Sequence, residues 1–123
     1  MDLILLYLGC GLTVIWGVAH LFPTKSVVQG FGEISIDNKR IITMEWIIEG
    51  LALIFIGVLV ATVAVIDPSN VVSTAVYSIS VVMLMAMAVV SLLTGFKIRF
   101  LPFKLCPFIF TASAVFILMG GLI

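Results

Sequence analysis

Three ionisable side chains, His20, Glu45 and Glu49, lie in or beside stretches that are otherwise apolar. The two acids belong to Ile41–Ile66, IITMEWIIEGLALIFIGVLVATVAVI, which contains no Lys, Arg or Pro. Side chains at i and i+4 share a helix face, so Glu45 and Glu49 should point the same way. A charge at bilayer depth costs about 2.5–3.5 kcal/mol on insertion scales, so an acid kept there marks a functional site. Imidazole and carboxylate in that setting can hydrogen-bond a polar group carried by an otherwise apolar molecule. Plainer roles exist for two of the three: Glu45 can pair with Arg40, and His20 can sit as an interfacial residue. His and carboxylates also bind iron, manganese or zinc. One His and two Glu lack a second His or a spacing such as HExxH, so no metal is assigned. A proton path along acids would need further ionisable groups in the other half of the spans, which the sequence does not supply.

The elements that must position these groups are membrane helices. Hydrophobic residues make up 63% of the chain and charged residues 10%, and mean hydropathy is +1.40. Soluble domains are near half apolar and about a quarter charged, so the composition requires an integral membrane protein. The length leaves room for four spans, at about 3–21, 41–66, 71–94 and 107–122. The fold expected is all-α, a single membrane domain forming an antiparallel four-helix transmembrane bundle. The N-terminal MDLILLYLGCGL lacks the basic region of a signal sequence and reads as a retained span. Net charge is zero, and no field points to a nucleic-acid partner.

The first span, Leu3–Leu21, carries the stripe Gly9, Thr13, Trp16, His20 with Gly17 beside it, a face suited to close helix contact. Pro23–Phe31 is expected to form a short interfacial helix, and Asp37 to cap the second span. That span carries the small residues Gly50, Gly57, Ala61 and Ala64 and ends at the tight turn Asp67–Asn70. In the uncharged third span, Ser80, Met87, Ser91 and Thr94 fall near one face and are expected to bond between helices. Met83, Met85 and Met87 alternate and read as packing. Gly95 is expected to end this helix as a C′ glycine. The segment FKIRFLPFKLCP reads as an interfacial belt, with Pro107 in the first turn of the fourth span. Cys10 near mid-span and Cys106 at the basic end lie too far apart in depth for a disulfide.

All six basic residues fall in the two segments Thr24–Arg40 and Phe96–Cys106, on one side of the bundle. Short Lys/Arg-rich loops stay cytoplasmic. The expected setting is therefore the plasma membrane, with both termini extracytoplasmic. Placing the cytoplasmic boundary near Phe22 and Arg40 puts His20 about 3 Å deep, Glu45 about 7–8 Å and Glu49 about 13–14 Å. His20 and Glu45 then come within reach, with Glu49 a turn deeper. Trp16 and Trp46, at similar levels, wall the candidate ligand-binding pocket.

GVAHLF, Gly17–Phe22, followed by EGLALIFIG, Glu49–Gly57, resembles the DoxX-like family of small four-helix membrane proteins. That family ends its first helix in a Gly-x-x-Lys/His-like pattern, and its second helix carries an acid, then Gly and aliphatics, then another Gly. The likeness covers the hairpin of the first two spans and the four-span length. It implies that Glu49 is the helix-two acid and that His20 replaces the more usual lysine. Members have been linked to quinone-coupled sulfur oxidation and to accessory roles in membrane complexes.

Three functions follow as expectations. The first is an accessory or ligand-binding membrane protein whose pocket takes a quinone-like or lipid-like molecule at His20, Glu45, Glu49, Trp16 and Trp46. The second is a non-catalytic assembly subunit of a membrane complex, and the third a small dimeric transporter. No motif for flavin, haem or an iron–sulfur cluster is present, so any electrons would have to come from a partner; whether the chain is an enzyme stays open, with none expected of it on its own. Expected partners are membrane lipid and either a second copy or another membrane subunit.

Overall fold

A computed structural model describes residues 1–123. Helix α1 spans Leu3–Leu21, a short α2 Thr24–Gln29, and α3 Ile36–Ile66. Helix α4 runs Val71–Val90 and continues through a π turn, Ser91–Gly95; α5 runs Leu101–Ile117 and continues through a second, Leu118–Leu122. Four of these helical segments are long and apolar enough to cross a membrane. Their outer surface is apolar along its length, with Ile15, Phe55, Val65, Ile79, Val82 and Phe108 each more than half exposed. Contiguous apolar surface on this scale requires lipid as the solvent. The protein is a small, multi-pass integral membrane protein with the expected all-α four-helix bundle.

Around the bundle the order is α3, α1, α5, α4, with α4 returning beside α3. Each helix buries a stripe at the spacing an antiparallel bundle demands. On α1 it is Leu6, Gly9, Cys10, Thr13 and Gly17; on α3, Gly50, Leu53, Gly57, Val60 and Ala64. Lipid tails are as apolar as the side chains, so these helices associate by close packing rather than by water exclusion. Glycines set that packing. A Cβ on Gly17 would lie 2.8 Å from the carbonyl oxygen of Gly50, and one on Gly57 2.7 Å from that of Cys10. The α1–α3 register is thereby fixed. At the closed end, where both termini and the Asp67–Asn70 turn meet, Gly121 packs on the fully buried Tyr77 ring. The Asp2 amide donates to Gly120 O at 2.9 Å there.

Several local expectations change. Ser35, not Asp37, caps α3, its hydroxyl accepting from the Asn38 amide at 3.1 Å. The helix therefore starts five residues before Ile41, and Asp37 lies in its first turn, where an acid suits the helix dipole. Helix α5 starts at Leu101 with Pro102 in its first turn, and Pro107 is buried inside it. A proline within a membrane helix frees a carbonyl, here that of Phe103, and packing neighbours make this tolerable. Gly95 does not take the left-handed conformation; the one positive φ in the chain is at Gly32. The hydroxyls of Ser91 and Thr94 donate to Met87 O and Val90 O of their own helix rather than across to another. In an apolar medium the preceding turn offers the nearest acceptor. The short helix expected after Pro23 is present as α2, packed on α3.

Candidate functional site

Toward the closed end the space left is an open surface groove between α1 and α3, beside Tyr7, Val14 and Ala61, whereas the basic end is hollow. A cavity of about 670 Å³ opens there among all four spans, within the range of about 300–1,000 Å³ usual for small-molecule sites. Its lining is mostly apolar, with His20 and Glu49 as its ionisable pair.

His20 occupies the last turn of α1. Its ring stacks on Trp46 of α3 with centroids 3.8 Å apart and planes 17° from parallel. Trp46 is held in turn by its indole Nε1, which donates to the His20 carbonyl oxygen at 2.7 Å. Phe103 of α5 meets the other side of this pair edge-on, 5.5 Å from Trp46. Glu49 extends from α3 toward the imidazole, with Oε2 3.5 Å from His20 Nε2. That separation exceeds the usual N–H···O range of about 2.7–3.2 Å, and Nε2 has no hydrogen-bond partner. The His20 side chain is only 7% exposed, whereas that of Glu49 is 44% exposed. The imidazole is therefore a buried group with an unsatisfied nitrogen, and the carboxylate is its more exposed neighbour. One turn deeper, the buried Nε1 of Trp16 has the Cys106 sulfur, a weak acceptor, as its polar neighbour and meets no hydrogen-bond geometry. Buried polar atoms are nearly always paired in native structures, so these two stand out on one cavity wall.

The structure thus brings together His20, Glu49, Trp16 and Trp46. Glu45 is not part of the cavity; it is exposed, and no ion pair with Arg40 forms. Arg40 lies instead 3.8 Å from Asp37. Helix geometry gives the reason. At about 100° per residue, Trp46 falls on the buried line of α3, Glu49 lies about 60° off it, and Glu45 about 100° off. Depth differs from expectation as well. The Gly17–Gly50 contact aligns α1 and α3 so that Glu49, not Glu45, stands level with His20. The first turns of α3 extend past the end of α1 and lie beside α2.

Other walls of the site carried weaker signals. Met83 and Met87 both line the cavity; Met85 between them hides that these two are i and i+4 on one face. Ser91, Thr94 and Gly95 continue that wall through the π turn of α4, an insertion often found beside functional sites. Phe100, Phe103, Cys106 and Phe110 complete the α5 wall. In sequence, most of these belong to a segment whose aromatic and basic residues resemble an interfacial belt. The Cys106 thiol donates to Pro102 O at 3.3 Å, and both cysteines are free.

A scan against protein-family models and searches of curated proteins and of solved structures return no match to this chain.

Proposed function

We propose that this protein is an accessory, ligand-binding membrane protein whose basic-end cavity takes a flat, apolar molecule with a carbonyl-bearing head, of the quinone class. The observation that carries the proposal is the pair of buried, unpartnered nitrogens, His20 Nε2 and Trp16 Nε1, on the wall of a largely apolar cavity. A carbonyl oxygen accepts from such donors, and the ring carrying it finds stacking surface on Trp16, Trp46 and Phe103. About one helix turn, roughly 6 Å, separates the backbone positions of Trp16 and His20. The two oxygens of a para-quinone, each on a C=O bond of about 1.2 Å across one ring, span a similar distance. Glu49, half exposed beside His20, suits a group that hydrogen-bonds the head.

The likeness of Gly17–Phe22 and Glu49–Gly57 to the DoxX-like pattern agrees with this reading, because it singles out His20 and Glu49. The Lys/Arg bias of the two loops at the cavity end supports a cytoplasmic-side cavity in the plasma membrane, with both termini on the other side. An assembly subunit would offer its small-residue faces to a partner; here Gly9, Gly17, Gly50 and Gly57 are all consumed within the bundle.

Titration with a soluble quinone analogue tests the proposal through tryptophan quenching. Quenching should saturate in the wild type. Each of His20→Ala and Glu49→Gln should weaken binding several-fold to tenfold, since one neutral hydrogen bond is worth about 0.5–1.5 kcal/mol. Absent quenching, or quenching unchanged in the double variant, would remove the quinone reading.

A further inference from the structure

The cavity has a polar end and an apolar end, and one of its sides is poorly closed. Along α4 its lining runs from Gly95 to Met83, on the order of 18 Å at about 1.5 Å per residue. His20, Glu49 and Thr94 lie toward the basic end of that length, whereas Met83, Ala86 and Phe110 lie deeper. Helix α3 shares a long interface with α1 but only a short one with α4. The side-chain bond joining α3 and α4 is at the closed end, where the Ser73 hydroxyl lies 3.3 Å from Val63 O. Towards the basic end, α3 supplies only Trp46 and Glu49 to the cavity wall. Across from them, Met83 is 48% and Val90 60% exposed although both line the cavity, and Ala86 between them is exposed too. These three follow i, i+3 and i+7 spacing and form one lip. Small Ala86 makes the lowest point of that lip.

We propose that the cavity exchanges its ligand sideways with the membrane, through the gap between α3 and α4. The bound ligand then lies along the helices, its head at His20 and Trp16 and an apolar tail running over Ala86 into lipid. This rests on the quinone-class reading for the head and adds the tail and the route. A headgroup near the membrane surface and a tail toward its centre is also the orientation such an amphiphile already has in a leaflet. Passage through the gap requires no rotation of the molecule and no exposure of its tail to water. Glu49, on the α3 lip at head level, meets the head as it arrives. Specificity for tailed over tailless ligands is therefore set on α4, away from the hydrogen-bonding groups.

The test uses the full chain in nanodiscs and two probes: a tailless dimethoxy-methyl-benzoquinone and its decyl homologue, with binding followed by calorimetry. Ala86→Trp places an indole in the gap; Ala75→Trp, exposed on α4 outside the cavity, is the control. Ala86→Trp should weaken the decyl probe at least tenfold and the tailless probe less than threefold, while Ala75→Trp changes neither. Val90→Trp, on the same lip, should repeat the pattern and serves if Ala86→Trp does not fold. Binding of neither probe to the wild type would defeat the quinone-class reading itself. Binding of both, with equal or no loss in the lip variants, would overturn the lateral route alone. So would a tail-dependent loss in Ile98→Trp at the basic end but not in the lip variants.

Discussion

Replacing Gly17 by alanine should drive α1 and α3 apart at the point that aligns the site. The added methyl would lie 2.8 Å from Gly50 O and 2.9 Å from both the amide nitrogen and Cγ1 of Ile54. Comfortable contacts are about 3.5–4.0 Å between carbons, and two of the three atoms belong to backbone that cannot turn aside. Overpacking of this kind costs about 1–3 kcal/mol. Alanine recovers about 0.8–1 kcal/mol of helix propensity over glycine, so the net loss is smaller than the clash. Gly11 supplies the control on the same helix, because a Cβ there meets nothing within 4 Å. Gly11→Ala gains the propensity without the clash, and the two alanine variants should therefore differ by about 1–3 kcal/mol. Equilibrium unfolding in mixed detergent micelles, followed by helicity, measures that difference. Tryptophan emission should also shift in Gly17→Ala, since the His20–Trp46 stack spans the same interface, but not in Gly11→Ala. Equal stabilities for the two variants would refute the argument that glycine contact fixes the α1–α3 register.

Glu49→Gln should change unfolding free energy by less than about 1 kcal/mol, because the half-exposed Glu49 makes no hydrogen bond to His20; a loss of about 3–5 kcal/mol would instead reveal a buried ion pair. Trp46→Phe keeps the aromatic surface but removes the donor to His20 O, and thermal unfolding should show a loss of about 0.5–1.5 kcal/mol. Glu45→Gln, lying outside the cavity, should leave quinone-analogue binding unchanged in the same titration that Glu49→Gln weakens. With native cysteines replaced, Ser69→Cys should react with an impermeant thiol reagent on whole cells and Ile98→Cys should not; the reverse pattern would invert the topology.

Much of the fold was legible because membrane helices announce themselves by length and apolarity. The α1 boundaries and the Asp67–Asn70 turn follow directly from where polar residues interrupt the hydrophobic runs. Helix starts were harder to read. Helix α3 begins just after its Ser35 cap, and α5 begins at Leu101 with Pro102 in its first turn and no side-chain cap, both inside segments rich in charge where hydropathy is silent. For the candidate site, residue type picks out His20, Glu49, Trp16 and Trp46, but depth counting sets Glu45 level with His20 where the structure sets Glu49. Counting from assumed boundaries cannot register two helices of unequal length; the Gly17–Gly50 contact does so. The i+4 relation of Glu45 to Glu49 does put the two acids on a shared side. A shared side still spans about 40°, enough to carry one acid to the cavity rim and the other out of it. The α4 and α5 walls were missed because Met and Phe in a membrane helix look the same whether they face lipid or a cavity.

The claim that the basic-end cavity is a ligand site is tested most directly by photo-cross-linking in native membranes. A quinone carrying a diazirine on its ring, photolysed in place, is followed by peptide mapping of the labelled chain. Attachment should concentrate on Val90–Thr94 and Phe103–Cys106, the cavity walls nearest the level of His20 and Trp16, and should be lost with excess unlabelled quinone. Labelling scattered over lipid-facing residues such as Ile15, Phe55 and Ile79, and indifferent to competitor, would contradict the account.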